Sequence, residues 1–227
     1  MAWHNNPRIV TNGLILCLDA NDIKSYSGSG STWYDTSGNS NDITLYNSPT
    51  FSNGSILFNG TSQYGSGGDN DDLNPQEVTV EVWTKAVDES NLDHVTNIVG
   101  KGDWNTAGGH WHIGYRSGGA VQFNYNDQWG DGIQKSLSTY DATQWHCFQG
   151  TCDTYEAQFW FNTAYVGARG TQDSERDLNN YSFEIARSSY YANFYNGYVS
   201  IVRMYNRVLS RAELAQNYNA HRSRFNL

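Results

Sequence analysis

Carboxylates, imidazoles and exposed rings are the groups in this chain with chemistry to offer. Glu77 and Glu81 stand on one face of a strand-like run. They are about 13 Å apart at ~3.3 Å per residue. Glycosidase pairs need about 5–5.5 Å for retention or about 6.5–9.5 Å for inversion, so these two are too far apart. No G-x-S-x-G elbow is present to present a nucleophilic serine. His110 and His112 are two apart on a strand, so both imidazoles leave one face and could share a metal. A zinc or copper site needs further ligands, and the competing reading is a pair of surface or partner-bonded histidines. Asp69, Asp71 and Asp72 form a compact set of oxygen donors, the type calcium prefers. They lack the full D-x-D-x-D-G…E spacing, and a solvated acidic turn is the alternative. No cofactor is required on this reading, and Ca2+ is the candidate ion.

Aromatic side chains say more. Tyr190, Tyr191, Phe194 and Tyr195 crowd a turn region, and Trp104 and Trp129 sit in Gly/Asn/Asp-rich loops. A ring stacks on a pyranose face while amides and carboxylates bond its hydroxyls. The same residues suit a protein interface, and half or more of them are expected simply to fill core. His221, Arg222 and Arg224 make a basic ending on an acidic chain; they complement a helix C-terminus or dock on an acidic partner.

These residues need a scaffold, and composition points to a β one. The 227 residues carry 15% aromatics, 22 glycines and only 3 prolines, which suits short strands joined by many turns. Continuous apolar or alternating runs at Ile9–Ala20, Ser55–Asn59, Val78–Lys85, Asn97–Lys101, His110–Arg116, Ala120–Asn126, Gln144–Thr151, Ala157–Phe161 and Phe183–Ala186 read as strands. The long polar connection Asn21–Asn41 is expected to be pinned by Trp33 and Tyr34. Gly197–Ala220 reads as a buried last strand and a short helix. Ser210 and Glu213 form its S-x-x-E capping box, and Leu209 and Leu214 its hydrophobic staple.

The net charge of −9 argues against a general nucleic-acid or anionic-membrane surface, and no run of about 20 apolar residues is present. The start M-A-W-H-N-N-P-R lacks a charged n-region followed by an apolar h-region, so no signal peptide is expected, and synthesis in the cytoplasm is the default. Cys147 and Cys152 are five positions apart on one strand and face opposite sides. Three free thiols with Cys17 fit a reducing compartment. The expected organisation is an N-terminal arm at 1–8, a single domain at 9–221 and a basic tail at 222–227: all-β, an antiparallel β-sandwich with one short C-terminal helix.

Several pieces resemble the laminin-G-like, concanavalin A-like lectin/glucanase jelly-roll family. They are N-G-L-I-L-C-L-D-A-N at 12–21, T-W-Y-D-T-S-G-N-S-N at 32–41, S-I-L-F-N-G-T-S-Q-Y at 55–64, V-T-V-E-V-W-T-K at 78–85, Q-W-H-C-F-Q-G-T-C-D at 144–153 and the closing G-Y-V-S-I-V-R-M-Y-N-R-V-L-S-R-A-E-L. Within the family the wording is similar to modules of tailed-phage structural proteins. That resemblance implies a non-enzymatic virion structural protein, a capsid decoration or fibre/appendage component. It would sit on the virion surface, with other virion proteins and further copies of itself as partners. The alternative is a receptor-binding module for a host surface glycan, with Trp104, Trp129, Tyr190, Tyr191, Phe194, Tyr195, Arg222 and Arg224 as candidate contacts. A glycoside hydrolase ranks third. Members that cleave β-glucans carry E-x-D-x-E on a strand, whereas Glu175-Arg176-Asp177 here is followed by Leu178 and Asn179 in a polar loop. Ser200 and Ile201, and Asn59, Ser62 and Gln63, stand where family members often have acids that draw calcium.

Overall fold

The computed structural model describes residues 8–90, 92, 96–102, 110–116, 119–125, 133–170, 181–188 and 192–227. The strands of its first half are β1 (Leu14–Asp19), β2 (Thr32–Trp33), β3 (Ile43–Tyr46), β4 (Thr50–Ser52), β5 (Ser55–Asn59), β6 (Tyr64–Gly68), β7 (Val78–Ala86), β8 (Thr96–Lys101) and β9 (Trp111–Tyr115). They continue with β10 (Ala120–Tyr125), β11 (Ile133–Ser136), β12 (His146–Cys152), β13 (Glu156–Phe161), β14 (Ala164–Gly170), β15 (Phe183–Ile185), β16 (Arg187–Ser188), β17 (Asn193–Phe194) and β18 (Asn196–Tyr205). Two sheets face each other. The first runs β14-β13-β12-β7-β18-β5-β4, with β1 also paired to β18. The second runs β11-β10-β9-β8-β15-β6-β3-β2, and β16 and β17 pair separately. The antiparallel sandwich and its one α-helix, α1 (Arg211–His221), are as the sequence leads one to expect.

Alternation fills the core from both sheets. Val78, Val80 and Val82 on β7 meet Trp111, Ile113 and Tyr115 on β9 and Val121 and Phe123 on β10 in one buried cluster. The opposite face of β7 carries Thr79, Glu81 and Trp83, yet these are buried too. The cause is the C-terminal lid. Ser210 caps α1 by a reciprocal capping box with Glu213, and Arg207 clamps Glu213 at 2.6 Å. That ion pair, more than any other cause, holds the Glu213 carboxyl down at about 2. Leu209 and Leu214 bury against Val10, Trp160 and Tyr205. Tyr218 and Phe225 stack on Trp83 with ring centroids 5.4 and 4.5 Å away.

Polar groups fill the space between lid and sheet. Arg203 Nη1 lies 2.6 Å from Glu81 Oε1, with both side chains essentially inaccessible. The same carboxylate accepts from Trp83 Nε1 at 3.1 Å and Gln149 Nε2 at 2.8 Å. The other guanidinium nitrogen bonds His221 Nε2 at 2.5 Å. Burial, then the charges of Arg203 and Arg224, push His221 down to about 3, so its ring is neutral and accepts.

Three expectations need correction. The first strand begins at Leu14, not Ile9, because Gly13 at φ +79° closes a turn in which Leu14 N–H donates to Thr11 O. The long connection after it is pinned by buried Trp33 but not by Tyr34, which is half exposed. Asp35 does the remaining work. Its carboxylate accepts from the N–H groups of Cys17 (2.8 Å), Ser37 (2.8 Å) and Asn41 (3.0 Å). Nor is 222–227 a free basic tail. Phe225 is buried, and Arg224 is held by Asp19 at 2.7 Å and by Ser200 Oγ. Only Arg222 of that pair is exposed. No helix among the described residues is long and apolar enough to cross a membrane.

Candidate ligand site on the second sheet

Strand alternation decides which side chains the second sheet turns away from the core. With Trp111, Ile113, Val121, Phe123 and Tyr125 committed inward, His112, Gln122 and Asn124 take the opposite face. Register lines them up: Glu184 opposes Gly100, Gly100 opposes His112, and His112 opposes Asn124. One step along, Asn97 opposes Gly114 and Gly114 opposes Gln122. This polar layer is itself buried. Burial and neighbouring His110 lower His112 to about 3, so a neutral ring sits 3.1 Å from Gln122 Nε2.

At the start of β8 a hollow of about 370 Å³ opens, lined by Asn59, Gly60, Thr61, Thr96, Ala192, Asn193 and Phe194. One wall is the turn after β5. Asn59 Oδ1 accepts from the N–H groups of Thr61 (3.0 Å), Ser62 (3.0 Å) and Gln63 (3.2 Å), folding the chain back on itself. Gly60 has φ +70°, and a β-carbon there would come within 2.7 Å of Asn196 Cβ, so glycine is required. Gln63 Nε2 then ties this turn to Asn47 O and Ser48 O at 3.1 and 3.0 Å.

The facing wall is the β16–β17 hairpin, in which Arg187 opposes Phe194 and Ser188 opposes Asn193. A stack supports it. The Arg187 guanidinium lies 4.5 Å from the Tyr64 ring and 5.9 Å from Phe194. Tyr46 stacks on Tyr64 at 4.6 Å and 5°. Glu184 pairs with Arg187 at 3.3 Å. The Thr96 hydroxyl is buried and has no hydrogen-bond partner among the described residues, although its residue lines the hollow. Among the described lining residues, one aromatic wall, two asparagine side chains, two threonines and no ionisable side chain suit a neutral, hydroxyl-rich ligand.

The sequence-derived candidates part company here. Phe194 lines the hollow. Tyr195 does not: it is a core residue, its hydroxyl 2.9 Å from Thr84 Oγ1, and burial raises it well above the usual tyrosine range. Successive residues on a strand face opposite ways, so placing Phe194 outward sends Tyr195 inward. Trp104, Trp129, Tyr190 and Tyr191 lie outside the described residues, as do Glu175 and Asp177. Glu81 is consumed by Arg203. Asp69 meets the buried Lys101 ammonium at 3.2 Å, whereas Asp71 and Asp72 open an exposed 3-10 turn capped by Asn70. Among the described residues no three His, Cys, Asp or Glu side chains gather as a metal site, and the His110–His112 pair acquires no third ligand of that set. Sequence reading missed Thr96, Asn193, Tyr46 and Tyr64; the only local signal was the amide-rich N-G-T-S-Q-Y, whose Asn59 folds the turn.

Comparison with known proteins bears on this arrangement. The family model described as the concanavalin A-like lectin/glucanases superfamily, laminin-G type, matches residues 59–215. No curated protein matches the sequence. The receptor-binding domain of botulinum neurotoxin C/D mosaic serotype superposes with a TM-score of 0.72 at 14% identity, covering 92% of this chain and 51% of that one. Domain 4 of AbnA, an extracellular GH43 arabinanase from Geobacillus stearothermophilus solved with arabinotriose, gives 0.69 at 13%, covering 90% and 98%. A Trypanosoma rangeli sialidase mutant gives 0.71 at 15%, covering 94% and 34%. The chain thus spans about half of the toxin domain and a third of the sialidase, but nearly all of the arabinanase domain. At these identities the likeness is one of fold: a lectin-like sandwich. With the family model covering well over half of its length, the chain belongs to the concanavalin A-like lectin/glucanases superfamily.

Proposed function

We propose that this protein is a non-enzymatic carbohydrate-recognition module that takes an uncharged sugar in the hollow between Asn59–Thr61 and Phe194. The observation that carries the reading is Phe194 as one wall of a cavity whose described lining is otherwise asparagine, threonine, glycine and alanine, with no ionisable side chain among them. An arabinanase domain of nearly the same extent, solved with arabinotriose, supports it. The described lining residues include no carboxylate, which supports recognition over hydrolysis, a reaction that needs two carboxyl groups flanking the bond. A glycan array probed with the full chain tests this. Retention of neutral glycans is expected, with Phe194→Ala weakening them about tenfold through lost stacking. No glycan above background, or release of reducing sugar from one, overturns the reading.

The setting we propose is the surface of a tailed-phage virion, as a capsid decoration or fibre component in contact with other virion proteins and further copies of itself. Support comes from the similarity of its motifs to virion modules and from three buried cysteines that form no disulfide. Mass spectrometry of purified particles tests it, and finding the chain only in particle-free lysate would overturn it.

A further inference from the structure

A second hollow lies on different elements. It has a volume of about 510 Å³ and is lined by Tyr26, Gly28, Ser29, Gly30, Ser31, Leu45, Ser48, Pro49 and Phe51. Its walls are the loop before β2 and the turn joining β3 to β4. The apolar part is built from Tyr26, Leu45, Pro49 and Phe51, and the rim from three exposed serines, Ser29, Ser31 and Ser48.

Two features show a prepared surface rather than a slack loop. Phe51 sits 36% exposed on an edge strand, yet it is oriented: the Tyr26 ring packs at 5.7 Å and 53°. A β-carbon at Gly28 would lie in van der Waals contact with the Phe51 ring, 3.5 Å away. The loop is also locked from below. Tyr26 Oη donates to Gly30 O at 3.0 Å and Leu45 N–H to Ser31 O at 2.7 Å, while Gln63 holds Ser48 O. Those bonds use backbone carbonyls and leave the serine hydroxyls on the rim for a ligand.

We infer that this hollow is a second, independent carbohydrate subsite, taking a neutral pyranose with its C–H face on Phe51 and its hydroxyls on Ser29, Ser31 and Ser48. The chemistry selects that class. A purely apolar ligand would waste the serine rim, and a charged one would find no counter-ion, since among the described residues no ionisable group but the Tyr26 phenol lines the hollow of a chain with net charge −9. The assignment does not depend on the Phe194 hollow, because the two share no lining residue.

The test is an amide NMR titration of the full chain with methyl glucopyranoside, methyl galactopyranoside and methyl mannopyranoside, each carried to the high millimolar range, with glucuronate as a charged comparison. Saturable shifts at Gly28–Ser31 with at least one neutral pyranoside are expected. They should weaken about tenfold in Phe51→Ala and survive in Phe194→Ala. Ser29→Arg, which fills the rim from an exposed position, should abolish them without disturbing the spectrum of the core. Shifts at Gly60, Thr61 and Asn193 alone would overturn this subsite and leave the first standing. Shifts at Gly28–Ser31 alone would leave this subsite and remove the first, and silence at both would remove both. Equal or stronger response to glucuronate would overturn the neutral class.

Discussion

At the scale of single residues, the molecule depends on a few side chains whose alternatives are costly. Arg203 and Glu81 are both buried and form an ion pair. Burying the pair is no bargain in itself, but breaking it strands a charge. Arg203→Met should therefore destabilise the chain by about 3–5 kcal/mol in urea unfolding. Glu81→Leu combined with Arg203→Met should recover most of that loss. If the single variant unfolds at the wild-type urea concentration, the pair is not a structural keystone. Gly197 makes a second case. A β-carbon there would collide with the buried Tyr195 ring. Gly197→Ala should cost roughly 1–3 kcal/mol, the usual price of overpacking, and unfolding midpoints would show it.

At the scale of elements, the lid is the part whose stability depends on acid. His221 is neutral at about 3 in the docked lid against 6.5 in a free chain. As pH falls from 6.5 toward 3, an undocked or unfolded chain gains a proton that the docked imidazole refuses, wedged between Arg203 and Arg224. Docking therefore loses stability across that window. His112, also near 3, works in the same direction on the second sheet. Glu213 acts later: its carboxyl, held at about 2 against 4.5, loses its contribution only as pH falls below 4.5. Protection of the α1 amides against hydrogen exchange, corrected for the intrinsic exchange rate at each pH, should fall as pH drops from about 6.5 to about 4.5, while His221→Gln should flatten that part of the profile. A profile unchanged by that substitution would place the acid sensitivity elsewhere.

At the scale of the whole molecule, the two sheets and the lid enclose every cysteine. Cys17, Cys147 and Cys152 are free and buried. Cys152 belongs to the main core and Cys147 to the cluster under the lid, although both lie on β12. Pairing them would dismantle the strand. A thiol-reactive dye should label the native protein slowly and reach three equivalents only on unfolding. Added reductant should leave the melting temperature unchanged. Fast labelling of the native chain would show that the lid or the β1 edge opens readily.

Sequence alone settled the elements whose cause is local. Alternation marked the strands, and S-x-x-E with flanking Leu209 and Leu214 placed the helix start at Ser210, because a capping box and staple act within a turn of chain. The five-residue separation of Cys147 and Cys152 put them on opposite faces for the same reason. Boundaries at Gly13–Leu14 were less legible, since a turn closed by positive φ overrides an apolar run. What only the tertiary structure decided is which partner each polar side chain found. Glu81 became half of a buried pair rather than an acid, and Arg224 an anchor to Asp19 rather than a free tail charge. Tyr195 became core while its neighbour Phe194 became wall. Thr96, Asn59 and Phe194 come from strands far apart in the chain, and no local pattern announces a hollow formed where three such strands end.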